Sequence, residues 1–464
     1  MAVRTPPADP LLVILGSTGT GKSDLAVELA TRFGGEIINA DAMQLYRGLP
    51  VLTNKMPVPE RRGIPHHLLG HIAADEAPWD VDDFKREATK AMAEIRARGN
   101  LPILVGGTQY YVDSLLFADV ILDGVQCEAP SGTFPFLDSP TETLLSELQR
   151  CDPVMAERWH PNDRRKIQRS LEIFLQTGKP ASQFYAEQRE RKAAAASRDA
   201  TSSSRPRWEK LLFWVHSDRD VLRERLDERV DRMLSGGLLD EVGELVDLKR
   251  RRAAAGQALD TTKGIWQSIG YRQFEAYLAA LDGGATDDGG LDDLKAKAVE
   301  ETKSATRRYA VQQTRWIRLK QMRRLQEEGA EAMDSLYVVD STDQAQFQQD
   351  VVQPAAGITA QFLAGEERPR PRDVSERARQ VLTAAAEPPA QEKPSKRTCE
   401  LCQTVLVTEQ AWQRHIKGVS HRRALRRKQR LALVPTEERE RDEADVGTRP
   451  SSPEIGSMFS SPAE

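Results

Sequence analysis

The sequence predicts an α/β protein: a doubly wound parallel sheet carrying a helical insertion, followed by a small C-terminal Cys2His2 zinc finger. Three observations predict it. Short apolar runs ending at Gly or Asn alternate with segments of helical period. The first run leads into Gly16-Ser17-Thr18-Gly19-Thr20-Gly21-Lys22-Ser23, a G-x-x-x-x-G-K-[ST] loop set between strand and helix. Far downstream stands Cys399-x2-Cys402-x12-His415-x5-His421, a metal-ligand spacing.

The elements follow in order. Leu11–Leu15 reads as a buried parallel strand. Ser23–Phe33 places Leu25, Ala26, Leu29 and Ala30 on one helical face. Glu36–Asn39, Leu101–Val105 and Leu211–Val215 are further strands. From Pro140 to about Arg191 the pattern is helical, as an insertion on the core. Helical spacing returns at Val221–Leu248 and Glu300–Arg324. The expected organisation is a core over 1–139 and 208–345, interrupted by the insertion at 140–207. A linker at 346–394, disordered or loosely helical, leads to a finger at 395–430 and a disordered acidic tail at 431–464. Within the insertion, 192–207 is poor in bulky apolar residues and reads as a flexible insert. Phe117–Leu137 reads as a loop or a truncated insertion.

Composition narrows the class. Of 464 residues 39% are apolar, enough for a real core, while 66 Lys+Arg against 70 Asp+Glu give a net charge of only −4. An anionic partner must therefore be argued from local charge. No run is long and apolar enough to span a bilayer, and the first ten residues lack a secretory pattern, so an intracellular protein is expected. The four cysteines, Cys127, Cys151, Cys399 and Cys402, suggest two inert thiols and one metal half-site.

The loop at 16–23 carries a clear chemistry. Glycines let the backbone curl so that several N–H groups face one anion, and the helix that follows adds the positive end of its dipole. Lys22 brings a mobile positive charge, and the Ser23 hydroxyl suits a Mg2+ bridging phosphate oxygens. The motif fixes a polyphosphate ligand, not a reaction: a kinase, an ATPase and a diphosphate-releasing transferase all use it. Leu101–Val105 ends in Gly106-Gly107-Thr108, without the acidic Mg2+ partner of a kinase. Asp41 follows the second strand, in the crevice where ligands bind an open α/β sheet.

The string Asn39-Ala40-Asp41-Ala42-Met43-Gln44-Leu45-Tyr46-Arg47-Gly48 resembles the signature of the tRNA dimethylallyltransferase (isopentenyltransferase) family. Thr53-Asn54-Lys55, Ile64-Pro65-His66-His67-Leu68 and Pro102–Tyr111 resemble its next blocks. So do Asn162–Glu172, Glu228–Leu234, Ser268-Ile269-Gly270-Tyr271-Arg272 and Thr306–Trp316, over about residues 11–320.

The resemblance implies that an adenine amine beside the anticodon attacks C1 of dimethylallyl diphosphate and that diphosphate leaves. It implies a P-loop of NTPase-like fold in which Gly16, Ser17, Thr18, Gly19, Thr20, Gly21, Lys22 and Ser23 bind the diphosphate, with Ser23 on Mg2+. Arg229 is then a second clamp and Asp41 the general base or hydrogen-bond acceptor for the amine. Thr108 bonds the same amine or holds the diphosphate. The tRNA-contact segments are Asp41, Ala42, Met43 and Gln44, and Arg165, Lys166, Ile167, Gln168 and Arg169. A monomer in cytoplasm and mitochondrion is expected.

The C-terminal module joins a Zn2+ set, Cys399, Cys402, His415 and His421, to a small apolar core of Val405, Leu406 and Trp412. Lys396–Arg430 holds ten Lys/Arg against two Asp/Glu, a charge balance suited to nucleic acid. Arg422–Arg430 also fits a nuclear localisation signal. The finger resembles the eukaryotic branch of the family. His66, His67 and His71 are read as structural, because Pro65 and Gly70 interrupt any helix there. Trp79, Trp266 and Trp316 are read as packing residues.

Overall fold

A computed structural model of the chain describes residues 5–117, 134–187, 190, 209–257, 259–282, 290–386 and 394–432. The expectations for Cys127, the flexible insert, most of Phe117–Leu137 and the acidic tail lie outside these residues. Among the described residues no helix is long and apolar enough to cross a membrane.

Residues Met1–Ile121 and Arg205–Glu387 form one compact unit. Its six strands are β1 (Pro10–Gly16), β2 (Gly35–Asn39), β3 (His66–His67), β4 (Leu101–Val105), β5 (Glu209–His216) and β6 (Leu336–Asp340). They lie in the order β3-β2-β4-β1-β5-β6, and every pairing is parallel. β1 sits between β4 and β5, with Leu12 opposite both Ile103 and Leu211.

Strand periodicity divides the core between the two faces of the sheet. Leu11, Val13 and Leu15 pack with Phe84, Met92 and Trp214, while Leu12 and Ile14 pack with Leu25, Leu29 and Phe213. Helix α1 (Lys22–Phe33) follows β1 directly and stops at Gly34, whose φ of 62° is the left-handed conformation that ends a helix. Helix α2 (Val81–Ala97) opens with a capping box between Asp80 and Asp83. Helix α3 (Gln109–Leu116) begins one residue after Thr108, at the end of β4.

The expected linker at 346–394 is corrected over most of its length. Gln348–Val352 and Gln353–Ala364 are helical, and Val351, Val352, Ala355, Ile358 and Phe362 pack against Leu12, Ile14 and Phe213. A further helix, Glu376–Ala386, places Ala378 and Leu382 in the core on the opposite face. The Ala and Pro content that suggests a linker hides helical spacing. Pro354 is the second residue of its α-helix, directly after the π-helical turn Gln348–Val352. The α/β unit therefore runs to 386, not 345. β3 and β6 were also not read as strands, the first for its brevity.

Leu122–Ser204 and Pro388–Glu464 form the second unit. Helices α4 (Thr141–Cys151), α5 (Pro153–Arg158) and α6 (Arg164–Thr177) enclose Leu144, Leu148, Met155, Trp159, Ile167 and Leu171. The finger pairs β7 (Pro394–Cys399) antiparallel with β8 (Thr404–Thr408), followed by helices Glu409–Lys417 and Val419–Ala432. His160 Nε2 lies 3.0 Å from the Val405 carbonyl oxygen, so finger and insertion touch within this unit.

If 346–386 is part of the core, a charge at its centre must unfold it. Val351→Asp buries an unpaired carboxylate and should cost roughly 3 kcal/mol or more. Thermal unfolding checks this, and an unchanged midpoint would restore the linker.

Candidate active site and metal centre

The P-loop is built by close backbone approach. Gly16 has φ +145°, and a Cβ there would lie 2.5 Å from the Val215 carbonyl oxygen, so β5 admits only glycine beside it. Gly21 adopts φ 85° immediately before α1. Within the loop the Thr20 hydroxyl donates to the Ser17 carbonyl at 2.9 Å, and Lys22 Nζ donates to the same oxygen at 2.6 Å. Ser23 is exposed in the first turn of α1.

Arg229 comes from the helix Arg219–Ser235. Its Nη1 donates to Thr18 Oγ1 at 2.6 Å, while its Nε is buried without a hydrogen-bond partner among the described residues. Burial lowers the pKa of Lys22 to about 8 and that of Arg229 to about 10, and Asp41 opposes both shifts. Two desolvated cations, one with an orphaned donor, make a site in want of an anion.

Asp41 stands just beyond β2. Its Oδ1 accepts from the Met43 N–H at 3.0 Å, and its own N–H donates to Asn39 Oδ1 at 3.2 Å, closing a tight turn. Burial raises its pKa, and bonding from Met43 and the charge of Lys22 partly offset this. Thr108 Oγ1 accepts from the Ala42 N–H at 2.9 Å, so β2 and β4 ends are clasped together. A Cβ on Gly107 would lie 2.7 Å from Asp41 Oδ2. The backbone is bare where the carboxylate leans on it. Gln44 Nε2 donates to the Thr53 and Asn54 carbonyls, fixing the following loop. Thus Lys22, Arg229, Asp41 and Thr108 share one crevice at the carboxyl ends of β1, β2 and β4.

Two residues of this crevice carried no role in the sequence reading. Tyr309 Oη donates to the Gly107 carbonyl at 3.1 Å, and Gln313 Nε2 donates to the same oxygen at 2.9 Å. Both lie in the Thr306–Trp316 block, one helical turn apart, and that spacing was the available signal.

On α6, Arg165 and Arg169 are exposed. Lys166 pairs with Asp163 at 3.0 Å and lies over the Trp159 ring, and Gln168 Nε2 donates to the Leu137 carbonyl at 2.7 Å. Ile167 is fully buried in the helical core. Its side chain packs instead of facing RNA, because position 167 falls on the apolar stripe of α6.

Each of the three histidines near residue 66 has a partner within the fold. His66 Nδ1 meets the Ile64 carbonyl, His67 Nε2 meets Glu36, and His71 packs edge-on to Trp79. Trp266 is buried, and Trp316 donates its Nε1–H to Asp113 Oδ2 at 2.8 Å.

In the finger, the ligand atoms of Cys399, Cys402, His415 and His421 all lie within 4.8 Å of one another. His421 Nδ1 is 3.5 Å from each sulfur and 3.2 Å from His415 Nε2. A tetrahedral ion with Zn–S near ~2.3 Å and Zn–N near ~2.0 Å would set edges of about 3.3–3.8 Å. The donor set and spacing fit a metal ion.

Comparisons with known proteins agree with this geometry. A family model described as IPP transferase matches residues 44–320, and one described as isopentenyl transferase matches 10–61. A tRNA dimethylallyltransferase of Schizosaccharomyces pombe is 36% identical, over 91% of this chain and 96% of its own. The tRNA dimethylallyltransferase of Homo sapiens is 34% identical, over 91% of this chain and 87% of its own. A solved eukaryotic dimethylallyltransferase acting on tRNA superposes with a TM-score of 0.71 at 29% identity, covering 95% of this chain and all of that one. The P-loop, the crevice beside it and these similarities together show that the chain belongs to the IPP transferase family.

Proposed function

We propose that this chain transfers the dimethylallyl group of dimethylallyl diphosphate to the exocyclic amine of an adenine beside the anticodon of tRNA, releasing diphosphate. The observation that carries this reading is the facing of an anion cradle by a carboxylate. Asp41 acts electrostatically on both Lys22 and Arg229 across one crevice.

The amine nitrogen attacks C1 as the C1–O bond breaks, and that electron pair goes to the diphosphate. The loop amides, Lys22 and Arg229 stabilise the charge that grows there. The buried Arg229 Nε gains an acceptor. Ser23, exposed beside Lys22, would hold Mg2+, which when bound neutralises phosphate charge. Asp41 takes or orients the amine proton, and Thr108 keeps the turn bearing Asp41 in place through Ala42. The base leaves its stack to reach such a crevice. Ala42, Met43 and Gln44 belong to its rim, and Arg165, Lys166 and Arg169 meet the phosphate backbone, with Gln168 and Ile167 building the helix beneath them. Cys399, Cys402, His415 and His421 would hold Zn2+, which when bound would fold the basic module that meets RNA.

The direct test is mass spectrometry of tRNA incubated with purified protein and dimethylallyl diphosphate. Isopentenyladenosine is expected. Transfer of phosphate from ATP without it would favour a kinase.

Asp41→Asn should lower kcat by roughly 10²–10⁴ while the tRNA Kd stays within about twofold. Full activity would remove Asp41 from the chemistry.

A charged Lys22 is needed to attract diphosphate. Its pKa in the free protein is lowered to about 8, so affinity for inorganic diphosphate should fall as pH rises through that value. Lys22→Met should bind weakly at every pH. A profile flat across this region in the unaltered protein would contradict the titration.

Cys402→Ser should release the metal and weaken tRNA binding by roughly tenfold or more, leaving kcat at saturating tRNA unchanged. Unchanged tRNA affinity would assign the finger to another partner.

A further inference from the structure

Gln313 is almost fully buried, 3% exposed, on the helix Gly290–Trp316. Its Oε1 accepts from the Thr18 N–H at 2.8 Å, and its Nε2 donates to the Gly107 carbonyl at 2.9 Å. One amide thus bridges the P-loop and the end of β4. We propose that Gln313 is a positioning residue that sets the curvature of the diphosphate loop and registers it against the floor bearing Asp41 and Thr108. The inference rests on the transferase reading above.

Thr18 is the point where this control acts. Its N–H is held by Gln313 and its hydroxyl by Arg229 Nη1 at 2.6 Å. The clamp and the bridge therefore grip one loop residue from two sides. On the other side, a point where Gly107 would carry a Cβ lies 2.7 Å from both Asp41 Oδ2 and Gln313 Nε2. Base and bridge converge over the same bare backbone.

The amide side chain supplies both contacts without a charge, an acceptor at one atom and a donor at the other. A carboxylate keeps the first and loses the second, and adds negative charge beside the diphosphate. The bridge itself is anchored. Three residues on, Trp316 Nε1 donates to Asp113 Oδ2 at 2.8 Å, and Gln321 Nε2 donates to Asp113 Oδ1 at 2.6 Å. Asp113 is fully buried on α3, the helix that starts directly after Thr108. The helix bearing Gln313 is thus tied to the helix that starts at the site. Alignment of two bound reactants is sensitive to small displacements, so such a tie acts on the reaction rate as well as on binding.

The test uses the full-length protein with Gln313→Met, which keeps side-chain length but loses both hydrogen bonds, and Gln313→Ala. The expected result is a rise of about tenfold in KM for dimethylallyl diphosphate and a similar loss of affinity for inorganic diphosphate with Mg2+. kcat should also fall, while KM for tRNA stays within about twofold. If Gln313→Met keeps wild-type diphosphate affinity and kcat, Gln313 only fills space and the proposal is overturned. Equal rises in both KM values with a lower Tm would overturn it too, as a purely structural effect. A wild-type protein that forms no isopentenyladenosine would sink the transferase reading instead, and the diphosphate affinities of the variants would still judge the bridge.

Discussion

The site depends on positive charge that the fold collects and does not neutralise. Lys22 rests on the Ser17 carbonyl and Arg229 on the Thr18 hydroxyl, two neutral acceptors. The carboxylate acting on both is Asp41, which burial itself pushes toward its neutral form. Holding two cations in a desolvated crevice costs stability, and the lowered pKa of Lys22 is the sign of that cost. A bound diphosphate reverses the balance. Its charge restores the cations and offers an acceptor to Arg229 Nε. The rest of the crevice, from the glycine contact with β5 to the Asn39 and Met43 bonds around Asp41, keeps these groups from relaxing together before the ligand arrives.

Local chemistry was legible in the sequence. The P-loop, Asp41 and the finger ligands each lie in a short string whose spacing dictates their geometry, and four apolar runs became the four central strands. Non-local chemistry was not. Nothing in the spacing of Thr306–Trp316 says that Gln313 meets Thr18, 295 positions away. The helices at 348–386 were missed for a different reason. Alanine carries little hydrophobic signal, yet Ala355 and Ala356 are buried among the large side chains of the sheet. Composition averaged over a window hides the few positions that face inward.

Helix α6 shows the limit of transferring a contact segment residue by residue. Arg165 and Arg169 face solvent, whereas Ile167 and Leu171, the apolar positions between and beyond them, fill the core with Trp159. Lys166 and Gln168 are half committed, to Asp163 and to the Leu137 carbonyl. One helix therefore presents a charged face and is held by an apolar one, and the amphipathic period separates the two roles cleanly. His160, two residues before the polar turn that starts α6, touches the finger strand β8 in the same unit. The basic face of α6 and the basic finger are parts of one compact unit.

The crevice also explains why a phosphate-binding loop need not lead to phosphoryl transfer. In that chemistry the reacting atom is phosphorus, and an acidic residue at a strand end holds the metal over it. Here β4 ends in Gly106-Gly107-Thr108, and the space beside Gly107 is taken by Asp41, Gln313 and Tyr309. The carboxylate comes from β2 and leans across a bare backbone. Lys22 and Arg229 gather positive charge on one side and the Asp41 carboxylate stands beside Gly107 on the other, an arrangement that suits a reacting centre on a group attached to a diphosphate. An allylic carbon is such a centre. Its bond to the diphosphate oxygen breaks with the electron pair going to the diphosphate, and the loop has only to receive charge. A cationic cradle suited to the product of bond cleavage, with a carboxylate set to one side, fits carbon as the electrophile and phosphorus as a bystander.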